Sequence, residues 1–73
     1  MHKLPRITGA ELIAALKRAG FVVVRQRGSH VSLRKDEYRT VVPMHDELAI
    51  GTLSDILKQT GISRDDLHRL LKA

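Results

Sequence analysis

The 73-residue chain has no cysteine and no tryptophan, and one residue each of tyrosine and phenylalanine. Without thiols there is neither a disulfide framework nor a thiolate zinc site, which fits a reducing compartment. So few aromatic rings exclude a base-stacking platform of the kind that reads single-stranded RNA. Internal repeats, low-complexity tracts and linkers are also missing, so one domain over residues 1–73 is expected, too short for two cores. No apolar run approaches the length of a membrane span, and the N-terminus carries no signal-peptide h-region. A cytoplasmic protein without a membrane partner is therefore expected. Acid is the scarce charge: eight Asp and Glu stand against thirteen Lys and Arg, a balance of +5. That excess favours an acidic partner, nucleic acid first, with a surface basic only for solubility as the plainer alternative. What the chain does have, 42% hydrophobic and 29% charged residues, suits a folded domain and argues against disorder.

Patterning predicts an α+β order of helix, three antiparallel strands, helix, short helix. Met1 to Arg6 reads as an irregular lead-in. Thr8 and Glu11 form a capping box that Ile7 and Leu12 can staple, and Leu12, Ile13, Leu16 and Ala19 follow at helical spacing up to a stop at Gly20. Phe21 to Arg27, His30 to Lys35 and Tyr38 to Val42 read as strands, joined by Gly28-Ser29 and Asp36-Glu37 and ended by Pro43. With Arg27 opposite His30, regular pairing sets Arg25 against Ser32 and Val23 against Arg34. The other face then offers Val22 and Val24, with Val31 and Leu33, to a core. Across the second turn Leu33 meets Thr40, Val31 meets Val42, Arg34 meets Arg39 and His30 meets Pro43. After a loop from Met44 to Ala49, a helix from about Ile50 to Thr60 buries Leu53, Ile56 and Leu57 and closes at Gly61. Ser63 with Asp66 caps a last helix lined by Leu67, Leu70 and Leu71, with Ile62 placed to staple onto Leu67. One sheet face is covered by helices and the other is open.

The open face gathers Arg25, Arg27, Arg34 and Arg39 around His30. Like charges so close repel, and the planar arginine fork matches phosphate, so an anionic ligand is the natural compensation. An edge guarded by charge against aggregation is the alternative. His30, beside a tight turn and among arginines, is the candidate proton-transfer group. In RNA the ribose 2′-hydroxyl can attack the adjacent phosphate without a metal, given a base, an acid for the leaving oxygen and cations for the developing charge. His45, emerging near the Gly28-Ser29 turn, is a candidate second proton-transfer group, or else a loop histidine in water. His2 and His68 read as solvated surface residues. His45-Asp46-Glu47 cannot easily converge on a metal, and no second motif completes a shell, so no metal or other cofactor is expected. Leu57 to Arg64 also has the outline of a helix-turn-helix DNA reader, but Asp65 and Asp66 at its tip would repel phosphate and are explained as helix capping.

Leu16-Lys17-Arg18-Ala19-Gly20-Phe21, Gly28-Ser29-His30, Val42-Pro43-Met44-His45, Gly51-Thr52-Leu53 and the run Ile56 to Ser63 occur in this order. Together they resemble the HicA family of bacterial and archaeal toxins over nearly the full length. The resemblance implies a small endoribonuclease, an mRNA interferase that cleaves mRNA independently of the ribosome. It also implies a fold like the double-stranded-RNA-binding domain, with the catalytic histidine of Gly-Ser-His carried over to His30. Gly28 and Ser29 belong to that motif, and His45 falls at a recurrent position. The family's antitoxin, HicB, binds the toxin, blocks its site and supplies the operator-DNA contacts. Val31 departs from the family pattern, where many relatives carry a second histidine or an aromatic, and Pro5 is not a family mark.

The function expected is thus a toxin-type endoribonuclease with His30 as catalyst and Arg25, Arg27, Arg34 and Arg39 on the RNA backbone. Two alternatives stand beside it: a non-catalytic double-stranded-RNA-binding module and a helix-turn-helix DNA regulator.

Overall fold

The computed structural model describes residues 3–73, so the expectation for His2 lies outside the described residues. The first helix starts where Thr8 caps it. The Thr8 hydroxyl accepts from the Glu11 N–H at 3.0 Å, and the Glu11 carboxylate accepts from the Thr8 N–H at 2.9 Å. This reciprocal pair satisfies two donors that every helix start leaves orphaned. Helix α1, Gly9–Arg18, buries Leu12, Ile13, Ala15 and Leu16, and Gly20 turns the chain out of it at φ +102°.

Three strands follow, β1 (Val22–Arg27), β2 (His30–Lys35) and β3 (Tyr38–Pro43), in an antiparallel sheet of order β1-β2-β3. The β2–β3 register is the expected one throughout, with His30 on Pro43, Val31 on Val42, Leu33 on Thr40 and Arg34 on Arg39. Asp36 opens their turn at φ +52°, a left-handed conformation that a short polar side chain tolerates. Val31, Leu33, Thr40 and Val42 form the buried face.

Strand β1 departs from expectation. Arg27 pairs with His30 and Arg25 with Ser32, but an irregularity between Val23 and Arg25 inserts Val24 as an extra residue. Beyond it Val23 pairs with Leu33 and Val22 with Arg34, not Val23 with Arg34. Nor do Val22 and Val24 reach the core: they are 57% and 56% exposed, and no residue of β1 is buried. Two causes combine. A bulge reverses which residues face inward beyond it, and β1 is the edge strand on the side away from the helices, which pack over β3.

Helix α2, Ile50–Thr60, buries Leu53, Ile56, Leu57 and Thr60 and ends at Gly61, whose φ of +71° makes a left-handed cap. Helix α3, Arg64–Lys72, is capped by the Ser63 hydroxyl, which accepts from the Asp66 N–H at 3.1 Å. It lies against α1, where Arg18 donates to the Leu70 carbonyl at 2.7 Å, and Leu67 is fully buried. His68 is half-buried, not solvated as expected: its Nε2 lies 3.0 Å from the Lys3 carbonyl and ties the lead-in to α3. Among the described residues no helix is long and apolar enough to cross a membrane.

Candidate active site

The site begins with the β1–β2 turn. Gly28 takes φ +60° with nothing within 4 Å of where a Cβ would stand, so glycine is needed here for its backbone conformation and not for space. The turn pairs Arg27 with His30 across its base and leaves both side chains exposed. His30 also pairs with Pro43, which places the end of β3 on its other side.

Past Pro43 the chain does not wander off. The Met44 N–H donates to the Ser29 carbonyl at 2.7 Å, extending the β2–β3 ladder by one step. The Gly9 N–H donates to the His45 carbonyl at 2.9 Å, and the Leu48 N–H to the Ile7 carbonyl at 2.9 Å. A Cβ on Gly9 would lie 2.1 Å from the Pro43 carbonyl oxygen, so only glycine allows α1 to start this close to β3. Residues 43–48 thus form a strap clamped between the start of α1 and the His30 turn, with its last residue, Leu48, buried. This brings the backbone of His45, whose side chain is exposed, to the same end of the sheet as His30.

The four arginines divide along the sheet. Arg27 stands beside His30 at the turn. Arg25, Arg34 and Arg39 border a shallow concavity of about 420 Å³ on the open face, which Val24, Ser32 and Val41 complete. All four are exposed, and among the described residues none has a carboxylate partner. Neither aromatic ring joins them. Phe21 is buried, and Tyr38 packs on the helix side, where a Cβ on Gly61 would come within 3.1 Å of its ring. The face is therefore equipped to bind phosphate through guanidinium groups and offers neither a phenylalanine nor a tyrosine ring for bases to stack on.

His45, Asp46 and Glu47 stay in an exposed loop, and among the described residues no group of three or more His, Cys, Asp or Glu converges to hold a metal. At the α2–α3 turn the first residues of α3 are engaged locally, with Arg69 on Asp66 and the Ser63 cap. Sequence reasoning missed the strap. Its one signal was Gly9 at the first helical position, directly after the Thr8 cap, where a close approach of backbone is one reason for glycine.

A sequence model of the HicA toxins of bacterial toxin-antitoxin systems matches residues 9–62, from the first residue of α1 to just past α2. The matched span includes the His30 turn, all four arginines and the strap. No curated protein matches the chain.

Proposed function

From the chain's membership of the HicA toxin family of bacterial toxin-antitoxin systems, we propose that it is an endoribonuclease that cleaves mRNA without the ribosome and so inhibits translation. The observation that carries this reading is His30, exposed at a tight turn and paired with Arg27, on a face whose arginines have no carboxylate partner among the described residues. His30 takes the proton of a ribose 2′-hydroxyl, whose oxygen attacks the adjacent phosphorus while the bond to the 5′-oxygen breaks. The leaving 5′-oxygen gains a proton, for which His45 is the candidate donor. The products are a 2′,3′-cyclic phosphate and a 5′-hydroxyl. Arg27 stabilises the charge that builds on phosphorus, and the reaction needs no metal. A HicB-type antitoxin covers the same face and brings the pair to operator DNA, all in the cytoplasm.

The test is RNA cleavage by the purified chain in EDTA, beside His30→Ala prepared identically. Cutting by the parent alone, with cyclic-phosphate ends, is the expected result. A 5′-phosphate and 3′-hydroxyl product would overturn the chemistry, and equal cutting by both proteins would remove His30 from it. RNA binding by both without cleavage would leave a binding module.

A further inference from the structure

Arg34 and Arg39 stand apart from His30, and Arg25, opposite Ser32, lies between them and it. Arg34 lies four positions along β2 from it, roughly 13 Å at about 3.3 Å per strand residue. A phosphate being cleaved at His30 cannot also sit among these three side chains. Yet Arg34 and Arg39 are directly opposed across β2 and β3, a like-charged pair that destabilises a sheet unless something compensates it. Arg25, opposite Ser32 in the regular part of the register, joins them, and the bulge adds Val24, which turns to the open face and walls the concavity. No carboxylate among the described residues neutralises the trio, so compensation must come from outside the chain.

We propose that this concavity is a second phosphate site, which holds a phosphate of the same RNA strand at a distance from the bond cut at His30. The proposal rests on the endoribonuclease reading and adds a substrate requirement to it. The strand lies along β2 with its backbone toward the sheet and its bases outward, since neither Phe21 nor Tyr38 shares the face. At about 3.4 Å per stacked nucleotide the two sites are about four nucleotides apart, and fewer if the strand is stretched. Efficient cleavage then requires a chain long enough to fill both. Short fragments, including the enzyme's own shortest products, are poor substrates and leave readily.

Oligodeoxynucleotides with one ribonucleotide give a single cleavable position, because deoxyribose lacks the attacking hydroxyl. Lengthening them one nucleotide at a time on either side should raise kcat/KM by about tenfold or more at one step, on one side only, followed by a plateau. A neutral methylphosphonate at that position should abolish the rise. Arg34→Gln with Arg39→Gln should remove most of it, and the loss should be larger on long substrates than on the shortest. A gain spread evenly over every added phosphate, or equal losses on short and long substrates, would overturn the proposal. So would a double variant that handles every RNA like the parent yet no longer binds an acidic protein partner.

A second arm separates this idea from the catalytic one. All-deoxy oligonucleotides of the same lengths are titrated and followed by the backbone amide signals of Ser32, Arg34 and Arg39. An affinity step at one length that the double variant loses upholds the phosphate site even if no RNA is ever cut. No step and no shift at these amides overturns it even if cleavage is brisk.

Discussion

The two faces of the sheet are built from the same strands and carry opposite burdens. Along β2, Val31 and Leu33 are 4% and 1% exposed, while His30 and Arg34 on either side of them stand in solvent. The inner face is closed by α1 and α2, and among the described residues no buried side-chain polar atom lacks a partner; even buried Thr40 donates to Gln59 at 2.7 Å. The outer face leaves four guanidinium groups without carboxylate partners among the described residues. One face is complete within the chain, and the other carries charge that no described carboxylate offsets. Stability and activity should therefore separate cleanly by face, and that separation can be attacked from either side.

The largest effect belongs to the outer face. His30→Ala should reduce RNA cleavage by about 10²–10⁴-fold, the usual worth of a positioned proton-transfer group. It should leave thermal unfolding within about 0.5 kcal/mol of the parent, since His30 is exposed and buries nothing. A variant that loses activity because it unfolds would break the comparison. Next comes Leu33→Ala on the inner face, at about 2–5 kcal/mol of stability by denaturant titration. The folded fraction of that variant should cleave RNA normally. If its specific activity per folded molecule fell with its stability, the faces would be coupled and not independent.

A smaller effect tests a place where the faces share an anchor. Thr8→Ala removes the hydroxyl that caps α1 next to Gly9, and it should lower stability by about 1 kcal/mol. Gly9 holds the strap through the His45 carbonyl, so fraying of α1 at this end loosens the segment behind the His30 turn as well. Amide exchange at Met44, whose N–H reaches Ser29, should quicken more than exchange at Val42. Equal quickening at both would mean that the strap opens only with the whole sheet.

How far the fold was legible depended on what kind of signal each part carries. The helices were readable because caps and periodicity agree: Thr8 with Glu11, Ser63 with Asp66, Leu53 with Ile56 and Leu57. The β2–β3 pairing was readable because a two-residue turn and strict alternation allow one register. The His30 turn was readable for the same reason, since Gly28 is the residue such a turn demands. The strap was not, because backbone-to-backbone bonds such as Met44 to Ser29 leave no mark on side-chain identity. Leu48 escaped because an isolated leucine in a loop has no periodicity to betray its burial. The division of the arginines escaped too, because a pattern names a face but not distances along it.

The smallest effect tests the one register that sequence reasoning misplaced. Val22, Val23 and Val24 look like ideal core residues, and regular alternation would bury Val22 and Val24 as deeply as Val31. The bulge and the uncovered edge instead leave Val24 56% exposed on the open side, against 4% for Val31. Val24→Ala should then change stability by no more than about 0.5 kcal/mol. Val31→Ala should cost about 1.5–3 kcal/mol, the value of burying such a side chain. Equal costs would mean that β1 pairs without a bulge and that Val24 faces the helices. Unequal costs have a consequence for the outer face as well. The residue that shifts the register of β1 is the neighbour of Arg25, so the bulge that forfeits a core valine is also what adds Val24 to the concavity that Arg25 shares with Arg34 and Arg39.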